Sequence, residues 1–377
     1  MAEATGASYR SGVGIQQFTR ARDRLVDVTA ADADMAAVLR ATVSALHDVT
    51  RFTWCAVMTV DPQTLLPTGG VVEGFSPDAC APFWDNELLA PGFNKFTVLA
   101  RSNDGVATLV DATDGDLARA PMYAELYAPL GAADELRAAF VLGTTCWGVA
   151  TLLRADADGA FPDHEVEHVR GLAPLIARAL KAGACRLDAE AQAPAAMLVV
   201  DADNGIRELT NGGADVLDDL RTPGVNEPGL PAIVGTVATR ARHSRTSTHL
   251  ATRVRGTSGR WLRVTAAPMS GSDGHVAVMI EPARAADLTP ILLASYGLTD
   301  REVEIVILLA RGLATKDIAA ELSLSPHTVR DHVKAIFDKA GVSTRGELVA
   351  RLFAQHLLDG FHAAVHRIQP AAVGQER

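Results

Sequence analysis

At 377 residues and 48% hydrophobic content, the chain is long enough for two or three domains with proper cores. A formal net charge of -10 excludes a broadly basic coat for non-specific nucleic-acid binding, so any DNA contact must be local. Cys55, Cys80, Cys146 and Cys185 are too scattered for a CxxC zinc site or a disulfide framework and read as reduced, packing thiols.

Residues 1–15 are expected to be unstructured, with neither a basic segment followed by an apolar one nor, anywhere in the chain, an apolar run near the ~18 residues of a membrane span. The expected location is cytoplasmic, with no membrane partner. Met35, Val38, Leu39, Val43 and Leu46 recur at helical spacing, and a strand over 53–60 follows, ending at the turn pair Asp61-Pro62. Two β-rich runs, 134–141 and 147–153, flank a five-residue turn and predict a hairpin. The next helix carries the apolar stripe Val166, Val169, Ala173, Ile176 and Leu180, with Asp163 placed as its N-cap.

That helix begins with His164-Glu165-Val166-Glu167-His168, which matches the H-E-x-x-H pattern of zinc hydrolases. At about 100° per residue, both histidines fall roughly 120 to 160° from the apolar stripe. They are expected to face water from the first turn of the helix, a poor place to grip a metal. Glu190 has the spacing of a third ligand but sits in a polar, alanine-rich run. With no GxxxxGK[ST], GxSxG or paired Cys/His arrangement either, the expectation is no metal, no cofactor and no enzymatic activity, and the zinc hydrolase stands only as the rival reading.

From about Ala193 to Ala286 the pattern is two short strands around Asp203-Asn204-Gly205, a helix over 230–242, then strands over 246–254, 261–267 and 275–281 separated by Gly-containing turns. The order of elements in residues 16–184 resembles a GAF sensor domain, and that of residues 193–286 resembles a PAS domain. Residues 185–192 read as a linker and 287–297 as a linker helix. The fold class implied is multidomain α+β: GAF-like and PAS-like α/β modules followed by an all-α four-helix domain at 298–360 and a tail at 361–377. Trp54, Trp84, Phe96, Tyr123, Tyr127 and Trp147 are candidate linings of a ligand pocket in the GAF-like block, although aromatics there are more often plain core.

The four-helix block is punctuated clearly. Thr299-x-x-Glu302 is a capping box, and the helix behind it is expected to bury Val303, Val306, Ile307 and Ala310 before stopping at Gly312. A short helix from Thr315 reaches about Leu322. After Ser323-Leu324-Ser325, a second helix starts with Ser325 as N-cap and Pro326 at its first position and ends at Gly341. Thr344-x-x-Glu347 caps a fourth. Two short helices around a tight turn form a helix-turn-helix, whose second helix lies in a DNA major groove. On that helix Val329, Val333, Ile336 and Ala340 make the core side, while His327, Arg330, Asp331, Lys334 and Asp338 face outward.

Leu298-Thr299-x-Arg301-Glu302, Gly312, Lys316, Ile318-Ala319, Leu322, Ser325, Thr328-Val329, His332-Val333, Lys339, Arg345 and Glu347-Leu348 resemble the landmarks of the LuxR-type (GerE-like) helix-turn-helix. The resemblance implies that Thr328, Arg330, Asp331 and Lys334 face the major groove, that Lys316, His332 and Lys339 anchor phosphates, and that the fourth helix pairs two domains. Asp331 departs from the small or apolar residue common at that place, so no operator sequence transfers from relatives. Leu348, Leu352 and Phe353 make the apolar stripe expected to dimerise. The eight basic and eight acidic residues of 298–356 cancel, so the rest of the chain holds the whole net charge of -10. The reading is a DNA-binding transcription regulator acting as a homodimer on an imperfect inverted repeat. Its switch is a small-molecule effector, a partner protein or a redox event, and a sensor working mainly through protein partners is the alternative.

Overall fold

The computed structural model describes residues 3–31, 33–76, 79–185, 195–222, 229–244, 250–271, 274–349 and 351. They divide into two units, one reaching to Ala283 and the other beginning at Arg284.

In the first unit, helices α1 (Glu3–Ala30) and α2 (Met35–Val49) precede strands β1 (Trp54–Val60) and β2 (Pro67–Glu73). Helices α3 (Cys80–Leu89) and α4 (Phe96–Leu99), strand β3 (Val106–Thr108), helix α5 (Leu109–Ala112) and several short helical turns lead to the hairpin β4 (Ala132–Leu142) and β5 (Thr145–Ala155) and to α6 (Asp163–Cys185). The sheet order is β2-β1-β5-β4-β3, antiparallel throughout. The same unit continues with β6 (Ala196–Val200), β7 (Ile206–Leu209), α7 (Gly213–Asp219), α8 (Ala232–His243), β8 (Leu250–Arg255), β9 (Trp261–Pro268) and β10 (Val276–Pro282). These strands form a second antiparallel sheet, β7-β6-β10-β9-β8. Counted from its own first strand, each sheet has the order second, first, fifth, fourth, third.

Short hairpins such as β4-β5 dictate antiparallel pairing, so the sheets are α+β in character rather than α/β. The turn between β6 and β7 forms as expected: Asn204 adopts a positive φ of 61°, and the Asp201 carboxylate accepts from the amides of Asp203 (3.0 Å) and Gly205 (2.7 Å). Three expectations for this unit need correction. Helix α1 runs through the predicted unstructured N-terminus, because Ala21 and Leu25 bury themselves against the unit and extending an anchored helix adds one hydrogen bond per residue. Helix α6 starts at Asp163, so that residue is its first helical position and not its cap, and the helix continues through Cys185 into the predicted linker. The rest of that linker lies outside the described residues. The two predicted modules also share a joint: Leu66, before β2, is fully buried in the core of the second sheet. Beside it, the fully buried Asp61 accepts from the Arg253 guanidinium at 2.9 Å and from the Arg253 amide at 3.2 Å.

The second unit contains α9 (Ala285–Ser295), α10 (Asp300–Ala310), α11 (Thr315–Glu321) and α12 (Pro326–Ala340), and residues 345–349 are again helical. Helix α9 covers most of the stretch expected to be a linker helix, and its Leu293 belongs to the same core as Leu298, Ile305, Leu309, Val329, Ile336 and Leu348. On α10 the buried apolar positions are Ile305, Val306, Leu308 and Leu309; of the residues expected inside, Val303 and Ala310 are half-buried and Ile307 is 48% exposed. Both α11 and α12 pack on α10, which turns its buried stripe toward Ile305 and Leu309.

Candidate nucleic-acid interface

Each of the first three helices of the helix-turn-helix ends in the same device. A residue one or two places past the last helical one takes a left-handed φ (Gly312 at 96°, Ser323 at 54°, Gly341 at 62°), and the next residue donates its amide back into the last turn. Those bonds are Leu313 to Leu308 (3.1 Å), Leu324 to Ala319 (2.8 Å) and Val342 to Phe337 (3.0 Å), the Schellman pattern with an apolar residue folded under the helix end. An arginine closes each end. Arg345 donates to the carbonyls of Leu309 and Leu313, Arg301 to that of Leu322 (2.5 Å), and Arg351 to those of Ala340 (3.1 Å) and Gly341 (2.9 Å). A cation at a helix C-terminus meets orphan carbonyls and the negative end of the dipole.

The N-termini are fixed as well. Thr299 and Glu302 form the reciprocal capping box, and Ser325 accepts from the Thr328 amide at 3.0 Å. Thr344 accepts from the Glu347 amide, while the Glu347 carboxylate reaches the Ser343 amide, one residue earlier than a capping box requires. The Glu302 carboxylate is buried and also takes the Lys339 ammonium at 2.6 Å. Burial disfavours its charge, but the bonds from Lys339 and Thr299 outweigh this and hold its pKa below the usual glutamate value.

On α12, Val329, Ile336 and Ala340 are buried and Val333 is half-buried, while His327, Arg330, Asp331, Lys334 and Asp338 are exposed, as helical periodicity requires. Thr328 and His332 are half-buried at the edge of that face, and the Thr328 hydroxyl lies 2.9 Å from Ser325 Oγ. Arg330 curls back to the Pro326 carbonyl (3.2 Å), and His327 Nδ1 stands 3.4 Å from the Asp331 carboxylate. Lys316 is exposed in the first turn of α11. Among the described residues Lys316, Arg330 and Lys334 make no ion pair, whereas Lys339, expected on phosphate, is held by Glu302, and Arg311 pairs with Glu321 at 3.5 Å. The phosphate role followed from the family resemblance, which carries over a residue type and not the α10 carboxylate that claims Lys339 here. Leu348, expected at a dimer contact, is 1% exposed in the domain core, because the fourth helix packs back on the first three. Leu352 and Phe353 lie outside the described residues.

The zinc-like motif is dispersed. Glu165 accepts from the Thr50 hydroxyl (2.6 Å), the Arg51 amide (3.0 Å) and Arg154 (3.1 Å), so it ties α6 to the start of β1. His164 is exposed as expected, but His168 is half-covered by Phe18 of the unforeseen α1, at 5.7 Å between rings. Among the described residues no three His, Cys, Asp or Glu side chains are grouped to hold a metal ion.

Of the six aromatic residues proposed for a pocket, Trp84 and Tyr127 line one cavity of the first sheet. Trp54, Phe96, Tyr123 and Trp147 do not: Phe96 and Trp147 are core, and the Tyr123 hydroxyl donates to the Ala132 carbonyl. Sequence reasoning missed the charges behind that cavity. Arg137, 2% exposed, donates to Glu135 and Glu87 at 2.7 Å each, and Tyr127 also donates to Glu135 at 2.7 Å. Three charged residues within the apolar run DELRAAFVL were the available signal, since buried charges come in pairs. Burial pushes the Cys55 and Cys146 thiols up to about 12, which makes both poor nucleophiles, in keeping with packing roles.

Two short helices around a left-handed turn, the second capped at both ends and presenting an exposed polar face, define a helix-turn-helix domain. Residues 296–352 match the GerE model, described as bacterial regulatory proteins, luxR family, and the chain belongs to that family through this domain. It is 42% identical over 76 residues to the probable transcriptional regulatory protein NarL of Mycobacterium tuberculosis H37Rv, covering 20% of this chain and 32% of NarL. It is 44% identical over 55 residues to the spore germination protein GerE of Bacillus subtilis 168, covering 15% of this chain and 74% of GerE. The chain thus spans about a third of the length of NarL. A crystal structure of the phage VqmA-DPO complex aligns with 43% of this chain and 84% of its own at 18% identity, with a TM-score of 0.19.

Proposed function

We propose that the chain is a cytoplasmic, sequence-specific DNA-binding transcription regulator, in which GAF-like and PAS-like modules govern the C-terminal helix-turn-helix. The observation that carries the DNA reading is that, among the described residues, Lys316, Arg330 and Lys334 are exposed and make no ion pair while the other cations of the domain are engaged. Thr328, Arg330, Asp331 and Lys334 take the base-facing roles, and Lys316 and His332 the phosphate roles. Asp331 accepts from a cytosine N4 amino group and is repelled by phosphate, so it selects as much as it binds. The common strand order of the two sheets supports the reading of both modules as sensors of related build. The active species is a homodimer on an imperfect inverted repeat, with Leu352 and Phe353 as its apolar contact and Leu348 as the core anchor of the same helix.

Footprinting and salt titration on a promoter recovered by genome-wide mapping test this. Lys316→Ala should weaken binding to all sequences and flatten the salt slope by about one unit. Lys334→Ala should cost about 1 to 3 kcal/mol on the specific site and relax discrimination at one base position. Equal losses for Lys334→Ala on specific and random DNA would remove it from the base-reading set.

A further inference from the structure

The cavity in the first sheet has walls of one kind. Met58 on β1, Phe75 after β2, Phe83 and Trp84 on α3 and Tyr127 between α5 and β4 present carbon to it. The space measures about 510 Å³ counted out to its mouth, and much of that is the mouth, so the enclosed part suits one ring rather than a fused system. The Tyr127 hydroxyl is spent on Glu135, which leaves its ring as wall. Thr151 on β5 breaks the pattern. Its side chain lines the cavity, the residue is 1% exposed, and its hydroxyl has no hydrogen-bond partner among the described residues. A buried hydroxyl without a partner is costly, and natural proteins rarely leave one without a reason.

Charge on a ligand is excluded by what lies behind the aromatic wall. Arg137 sits over the Phe83 ring at 5.5 Å, but its guanidinium already carries Glu87, Glu135 and the Asn94 carbonyl. Lys95, 3.9 Å from Glu87, completes two cations against two carboxylates, so no counter-charge is left for an anionic or cationic guest. We infer that this cavity is a binding site for a neutral, single-ring compound bearing one hydroxyl or carbonyl group, which hydrogen-bonds Thr151 while its ring packs on Phe75, Phe83 and Trp84. The site rests on the sensory reading above and specifies its ligand class. A route for the signal exists inside the same unit, since Leu88 of α3, one turn beyond Trp84, packs on the core of the second sheet as well as the first.

Calorimetric titration of the full-length protein with p-cresol, toluene and 4-methylbenzoate tests the assignment. The expected order is saturable binding of p-cresol, at least tenfold weaker binding of toluene, and none of the carboxylate. Thr151→Val keeps the shape and removes the hydroxyl; it should abolish the preference for p-cresol over toluene and raise the melting temperature of the ligand-free protein. Leu130→Trp, which fills the cavity, should abolish both affinities while leaving the far-ultraviolet circular dichroism unchanged. Absence of p-cresol binding up to millimolar concentration, or a preference that survives in Thr151→Val, overturns the site. Selective binding that changes neither amide exchange in α8 nor promoter affinity keeps the site and counts against the sensory reading alone.

Discussion

Lys339→Met separates a structural lysine from a DNA-contacting one. In the native domain its ammonium lies 2.6 Å from the Glu302 carboxylate, whose residue is only 4% exposed, while the lysine side chain itself is 36% exposed. A fully buried pair broken on one side costs about 3 to 5 kcal/mol, and a surface pair about 0 to 1. Water can replace part of the lost bond here, and the Thr299 amide still donates to Glu302 at 2.7 Å. The expected loss is therefore about 1 to 2 kcal/mol, with a similar loss for Glu302→Gln and a coupling of about 1 kcal/mol between them in a double-mutant cycle. Amide exchange in α10 and α12 measures it without requiring the two-unit chain to unfold in one step. In the proposed DNA complex, the slope of log affinity against log salt should stay unchanged in Lys339→Met. A slope shallower by about 0.9, with exchange protection intact, would return Lys339 to the phosphate backbone and refute the assignment.

Acid should act on the same bond: the folded pKa of Glu302 is depressed, so its contribution is present above the unfolded value of about 4.3 and is lost as pH falls through the folded one. Exchange protection in α10 should fall as pH drops below about 4.3 in the wild type and show a shallower pH dependence in Glu302→Gln. At the helix ends, Gly341→Ala should cost about 1 to 2 kcal/mol, because its φ of 62° is left-handed, and Ser323→Gly, at a φ of 54°, should gain about 0.5 kcal/mol; urea midpoints check both. In the first unit, Arg137→Met leaves Glu135 buried without its cation and Glu87 with only Lys95 at 3.9 Å, and should cost about 3 to 5 kcal/mol, read as a lower melting temperature of that unit.

The helix-turn-helix was legible because its boundaries are written in local chemistry: Thr299, Ser325 and Thr344 start helices, and Gly312 and Gly341 stop them, each through bonds to residues nearby in sequence. The hairpin β4-β5 and the strands β9 and β10 were legible through the period of their apolar residues. What escaped depends on distant partners. Strand β2 goes unassigned, since Pro67, Gly69 and Gly70 interrupt any strand pattern, yet a Cβ at Gly70 would come within 2.8 Å of the Val57 carbonyl, so glycine is what lets β2 lie on β1. Periodicity put Ile307 inside and Leu348 at an interface because it shows that a helix has an apolar face, not which neighbour covers it. Lys339 and Glu302, 37 residues apart, could not be paired by any local pattern. Glu87 and Arg137, 50 residues apart, pose the same difficulty.

The engagement of cations also constrains how this domain can bind. Arg301, Arg345 and Arg351 complete helix ends, and Lys339 and Arg311 meet carboxylates, which among the described residues leaves Lys316, Arg330 and Lys334 beside the exposed acids Asp331 and Asp338. Three phosphate-directed cations would release counterions with a salt slope of about -3 per domain, and fewer if Arg330 and Lys334 read bases instead. Such a domain holds random DNA weakly, while the remainder of the chain carries the whole net charge of -10 and adds repulsion. In the proposed regulator, affinity then comes from pairing two domains on one repeat, where the second contact becomes intramolecular and its effective concentration multiplies the first. Control of dimerisation alone would switch occupancy, with no change in the recognition helix. On that proposal the first unit needs to alter only the pairing of two chains.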